Sequence, residues 1–187
     1  MEQYMTRPGQ SRLMDRWAAG VIQSLVEIAP SIMENQEDYD KMADFMLCAT
    51  MGLNHFIAMG VCEDWATHMI GHELTALHGL THGATLAIVL PGLWRTLKQK
   101  KMAKLVQLGE RVWGIQDGSD EERADRTIEK TEAFFRSLGL PTRLGDAQIG
   151  DDTIIEIERR FIERKVGFGE DGDVTAEIAR RILENCK

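Results

Sequence analysis

Four of the five histidines fall within one short stretch, WATHMIGHELTALHGLTHGATLAIVLP, which runs from Trp65 to Pro91. They are His68, His72, His78 and His82; His55 stands a little upstream. Imidazole is the commonest side-chain metal ligand, and its unperturbed titration lies near neutral pH. A lone histidine on a helix is usually a surface residue or a hydrogen-bonded core residue. Four of them around a glycine-interrupted turn point instead to metal binding or proton transfer.

The spacing narrows the choice. His68 and His72 are four apart and share a helix face. His78 and His82 have the same separation, but Gly79 lies between them. A helix through Met69–Leu77 therefore stops near His78, with Gly79 as its C-terminal punctuation. Thr81 is then the N-cap of a second helix starting near His82. This helix–turn–helix folds His82 back toward His68, so that both can face one centre. Imidazole nitrogen suits zinc and iron alike, and ligand type alone does not choose between them. A zinc-peptidase reading fails on spacing: His72-Glu73 is followed by Leu74, Thr75 and Ala76, so HExxH is absent, as is HxxEH. A metal-dependent hydrolase with Glu73 as base is disfavoured, and Glu73 is expected on a helix surface.

The elements that must position these residues are helical throughout. Ser11 caps a helix to about Ala29, with Leu13, Trp17, Val21, Leu25 and Ile28 as its apolar stripe. Pro30 either ends it or begins a short continuation through Glu34. Asp38 opens a helix to about Met59, closed by Gly60. Residues 45–59 are apolar almost all round, which predicts a buried central helix with its methionines as core filling. Pro91 must kink the second histidine helix or sit near a break. Further helices are predicted over Lys101–Trp113, after the capping box Ser119/Glu122, and over Thr153–Lys165 and Asp173–Asn185. Residues 1–10 read as irregular, 140–150 as a loop, and GFGEDG as a turn without phosphate-binding spacing. No period-2 apolar run competes. The fold class predicted is all-α, a bundle of about seven to eight helices forming one helical domain over residues 1–187.

Composition sets the outer bounds. The net charge of −8 argues against a nucleic-acid or anionic-membrane partner. The basic run RTLKQKKMAK, Arg95–Lys104, reads as a solvated helix end. Cys48, Cys62 and Cys186 form no CxxC pair, so a reducing compartment is expected, with Cys48 and Cys62 as buried thiols. The N-terminus has no apolar signal region, and Ala84–Trp94 is too short to span a bilayer. A cytoplasmic protein is expected.

EQYMTRP at Glu2–Pro8, DWATHMIGHELTALHGLTHGATLAIVLP at Asp64–Pro91 and FFRSLGLPTRL at Phe134–Leu144 carry a resemblance that extends along the whole chain. The sequence resembles the iron-containing (group III) alcohol dehydrogenases, nearest the butanol dehydrogenases and NADPH-dependent aldehyde reductases. The resemblance implies an α/β domain that binds NAD(P), which this sequence lacks, followed by the all-helical metal-binding domain, which it matches. It implies a divalent metal, Fe²⁺ or Zn²⁺, held by one aspartate and three histidines, two of them at His68 and His82. The remaining Asp and His belong to a helix ending just before the position of Met1-Glu2. His72 matches a histidine lining the active-site cleft, assigned here as catalytic; His78 matches no functional position. The implied reaction is hydride transfer between nicotinamide and a primary alcohol or aldehyde, the metal polarising the oxygen. The isolated chain is expected to be inactive and homo-oligomeric. The alternative is a non-catalytic, self-associating helical module.

Overall fold

Local capping chemistry sets most of the helix boundaries. In the computed structural model, which describes residues 1–187, eight α-helices follow one another: α1 Arg12–Glu34, α2 Tyr39–Leu53, α3 Ala66–His78, α4 His82–Thr96, α5 Lys98–Trp113, α6 Asp120–Ser137, α7 Asp151–Arg164 and α8 Ala176–Glu184. Ser11 Oγ accepts from Met14 N at 3.2 Å and Asp38 Oδ1 from Lys41 N at 3.2 Å, each satisfying a first-turn donor. Ser119 and Glu122 close the expected capping box on α6. Extended structure is confined to one bridge, Phe168 with Val174, which closes the GFGEDG turn. The all-α expectation is borne out.

α4 is the axis of the bundle. From Ala84 to Trp94 every residue but Leu86 is buried, and α3, α6 and α8 pack around it. Pro91 lies inside α4 without ending it; the helical run breaks only at Leu97, where α5 starts at once, earlier than the predicted Lys101. At Gly92 the crossing with α8 is so close that a Cβ would fall inside van der Waals contact with Cys186 Sγ and 2.8 Å from Ile182 O.

Several sequence expectations are overturned. The apolar stripe of α1 is shifted: Met14, Asp15, Ala18, Ala19 and Ile22 are buried, while Leu13 and Trp17 are exposed. Asp15 turns inward because Lys104 meets it at 2.5 Å, and Trp17 instead stacks on Phe56, centroids 4.7 Å apart. α2 ends at Leu53, short of Met59, and is not a central helix: it has no buried residue, and Met46 is 58% and Leu53 67% exposed. It packs chiefly on α1 and on the short 3₁₀ turn Phe56–Ala58. The thiol expectation is reversed in part, since Cys48 and Cys62 are half-buried and Cys186 is the buried one.

A further correction concerns the basic run. It is not a solvated end but a set of internal ties. Lys101, 2% exposed, donates to Met5 O at 2.6 Å, Asp64 Oδ2 at 2.9 Å and Glu170 Oε1 at 2.9 Å. A buried ammonium requires such partners. Through it the N-terminal segment is fixed, and residues 1–10 are not uniformly irregular: Glu2–Tyr4 form a 3₁₀ turn, and Glu2, Tyr4, Met5 and Thr6 are buried. No helix is long and apolar enough to cross a membrane.

Candidate metal centre

The histidine hairpin forms as its sequence predicts. Gly79 ends α3 at φ +68°, its N–H bonded to Thr75 O at 2.8 Å. Thr81 then enters α4 with extended dihedrals. What brings the two helices close is Gly71. A Cβ there would lie 2.9 Å from Thr85 Oγ1 and 3.5 Å from Leu86 Cδ2, so any larger residue would have to push the Thr85 side chain aside. Gly71 stands between His68 and His72 on α3, and Thr85 lies one turn beyond His82 on α4.

The result is a cluster of three imidazoles. Ring centroids are 5.2 Å apart for His68 and His82, 5.4 Å for His72 and His82, and 6.4 Å for His68 and His72. His78 points elsewhere, its Nε2 at 2.8 Å from Thr153 Oγ1, and His55 pairs with Glu63 at 2.7 Å. The hairpin thus joins His68, His72 and His82 and leaves out His78. Burial, and then the neighbouring His68 and His72 rings, push the His82 pKa below its usual value, against the pull of Glu2. The neutral imidazole, the form that ligates, is favoured.

Glu2 was not singled out from the sequence. Its carboxylate is buried and reaches both the ring of His68 and the start of α3. One oxygen pairs with His68 Nδ1; the other accepts from Thr67 N at 2.5 Å. The only sequence signal was its place in EQYMTRP. Glu73 also departs from expectation. It is not on the surface but buried, clamped by Arg160 at 3.1 Å and by Arg164. Both of its oxygens are thereby taken up by guanidinium donors.

Beside the histidines lies a cavity of about 430 Å³ between α1, α2, α4 and α6. Of its 27 lining residues 21 are hydrophobic, among them Ile22, Phe45, Leu86 and Phe135, so it suits a hydrocarbon rather than a charged group. His68 and Thr67 stand on its wall, and the Thr67 hydroxyl is buried without a hydrogen-bond partner.

The fit of a metal ion can be judged from the rings. Imidazole nitrogens about 2.0–2.1 Å from a tetrahedral ion put two ring centroids roughly 5 Å apart. The His68–His82 pair, at 5.2 Å, and the His72–His82 pair, at 5.4 Å, both meet this, whereas His68–His72, at 6.4 Å, does not. No group of three or more His, Cys, Asp or Glu side chains comes together to hold an ion. The chain's own donors therefore suit two corners of a site.

The profile of the Fe-containing alcohol dehydrogenase family, C-terminal, matches residues 1–185. The chain belongs to this family. Among relatives of the iron-containing alcohol dehydrogenases, the NADPH-dependent aldehyde reductase YqhD of Escherichia coli is 46% identical over 188 residues, covering 100% of this chain and 49% of that protein. The probable NADH-dependent butanol dehydrogenase 1 of Bacillus subtilis is 33% identical, covering 98% of this chain and 48% of its own length. The solved substrate- and cofactor-free form of YqhD superposes with a TM-score of 0.96 at 45% identity, over 100% of this chain and 49% of that one. The NADH-dependent butanol dehydrogenase A of Thermotoga maritima gives 0.90 at 27% identity, over 99% of this chain and 48% of that one. The chain spans about half the length of the curated relatives it matches.

Proposed function

We propose that this chain is the metal-holding helical half of an NAD(P)-dependent alcohol dehydrogenase or aldehyde reductase. The observation that carries the reading is the convergence of His68, His82 and His72 beside an apolar cavity. His68 and His82 are the metal ligands this half contributes. A divalent Fe²⁺ or Zn²⁺ supplies Lewis-acid polarisation of the alcohol or aldehyde oxygen. The cavity holds the hydrocarbon part of the substrate and keeps water from it. His72, exposed and with its ring 5.4 Å from that of His82, exchanges a proton with the substrate oxygen. The nicotinamide and the remaining donors come from the other half of the longer relatives' architecture, so the isolated chain does not turn over. Three cysteines without a disulfide partner support a reducing, cytoplasmic setting.

Metal analysis of the chain joined to an upstream nicotinamide domain, which supplies the remaining donors, and reconstituted with Zn²⁺ or Fe²⁺, tests this. One ion per chain, lost in His82→Ala, is expected. No bound ion, or binding that survives in both His68→Ala and His82→Ala, would sink the metal reading. Joined to an upstream nicotinamide domain, the chain should oxidise NADPH with butanal; the His72→Ala form should show a lowered kcat with retained metal. A second reading, self-association through the apolar faces of α2, is favoured by the exposure of Met46, Leu47 and Leu53. Sedimentation that stays monomeric at high concentration would exclude it.

A further inference from the structure

Glu2 makes contacts that neither the family match nor the histidine pattern accounts for. An acidic side chain 8% exposed needs compensating donors, and Glu2 has two from one helix. Thr67 N, a first-turn donor of α3, bonds to Oε1 at 2.5 Å. The N-cap residue, Trp65, has no side-chain oxygen, and the local carboxylate, Asp64, is bonded to Ala66 N. Glu2 therefore supplies, from 65 residues away, the acceptor for Thr67 N that a Ser or Asp at the N-cap would provide. Its second oxygen pairs with Nδ1 of His68, the next residue on α3.

The carboxylate is itself held in place. Gln3, its neighbour, bonds to both backbone groups of Asp64: Gln3 Nε2 donates to Asp64 O at 2.8 Å, and Asp64 N donates to Gln3 Oε1 at 2.9 Å. Asp64 in turn caps Ala66 N at 2.9 Å and accepts from Lys101 at 2.9 Å. The N-terminal 3₁₀ turn is thereby clamped against the start of α3. Edge-on contact with Trp65, centroids 5.0 Å apart, braces the His68 ring from the side.

We propose that Glu2 is the positioning residue of the metal centre: it holds the His68 proton on Nδ1 and leaves Nε2 as the nitrogen presented to the ion. This deepens the reading given under Proposed function and rests on it. A carboxylate accepting from the distal ring nitrogen fixes tautomer and ring orientation, and it raises the basicity of the ligating nitrogen. Losing such a partner lowers metal affinity by about 10–100-fold.

The test uses the 187-residue chain, labelled with ¹⁵N. Two-bond ¹H–¹⁵N spectra at pH 8, assigned with His68→Ala, report which nitrogen of each neutral imidazole carries the proton. The wild type should show His68 protonated on Nδ1. Glu2→Ala should shift His68 toward the Nε2–H tautomer and weaken Zn²⁺ binding about 10–100-fold, measured by competition with a chromophoric chelator. Glu2→Gln, which keeps one acceptor oxygen, should fall between the two. His68 protonated on Nε2 in the wild type would overturn the proposal without any variant having to fold. So would Nδ1–H retained in Glu2→Ala, or equal Zn²⁺ affinity in folded Glu2→Ala and wild type. An Nδ1–H tautomer in the wild type, with no Zn²⁺ bound even when the chain is joined to an upstream nicotinamide domain, would overturn instead the metal reading beneath it.

Discussion

Replacing Gly92 by alanine puts a methyl group where α4 and α8 meet backbone to backbone. The new Cβ would overlap Cys186 Sγ and sit 2.8 Å from Ile182 O. The sulfur belongs to a side chain and can move, but the carbonyl is part of α8 and cannot turn aside. Overpacking of this kind costs about 1–3 kcal/mol, and a main-chain obstacle places the site near the upper end. Alanine's better helix propensity offsets up to about 1 kcal/mol. The net loss is about 2 kcal/mol, which for a chain of this size lowers Tm by about 4–8 °C. Gly20 provides the matched control. It lies inside α1 with nothing within 4 Å of its would-be Cβ, so Gly20→Ala should gain about 0.5–1 kcal/mol. Thermal and urea unfolding of both variants reads the two signs directly. Adding Cys186→Ala to Gly92→Ala should recover only part of the loss, since Ile182 O remains. A Gly92→Ala chain as stable as wild type, or the same direction of change at both glycines, would refute the argument from close packing.

Glu132 should prove a stability residue. Its side chain is 2% exposed and pairs with Arg95, with Arg143 at 2.8 Å and with Arg136 at 2.9 Å. Removing one partner of a buried ion pair costs about 3–5 kcal/mol, so Glu132→Gln should lower the urea midpoint accordingly. Burial works against its charge, but the Arg95, Arg143 and Arg136 guanidiniums outweigh that and hold its pKa below the usual carboxylate range. The contribution of the ionised form is therefore complete above the unfolded-state value of about 4.3 and is lost as pH falls through the lower native value. The gap between wild type and Glu132→Gln should close in acid; a gap that widens there would contradict the assignment. Burial pushes the Cys186 thiol up to about 12, and its Sγ lies 3.1 Å from Ile182 O. A thiol-reactive disulfide at pH 8 should label Cys48 and Cys62 readily and Cys186 only after denaturation; rapid labelling at all three positions would count against that packing.

The histidine hairpin was legible because its determinants are local. Gly79, Thr81 and the four-residue spacings act within a turn or two, and they set where α3 stops and α4 starts. The all-helical class followed from periodicity in the same way. Most of what the sequence hid was long-range. Asp15, Asp64 and Glu170 lie far along the chain from the lysines they neutralise, so Arg95–Lys104 looked like a solvated basic end. Glu73 looked exposed because Arg160 and Arg164 come from α7. Glu2 carried no local signal at all, since its role depends on how the first six residues fold back onto α3. The mistaken burial of α2 has a different cause. Apolarity on every side says that a helix tends to be covered, and not that this chain does the covering.

That uncovered helix has a consequence for how the molecule breathes. α2 is anchored chiefly to α1 and the Phe56–Ala58 turn. Lifting it away breaks few of the contacts that hold α4 among α3, α6 and α8. Its opening free energy is accordingly a fraction of the global one. Amide exchange across Tyr39–Leu53 will run through this partial opening, while the amides of α4 wait for complete unfolding. Whatever covers α2 will slow its exchange first, so those amides serve as a built-in reporter of any surface that docks there.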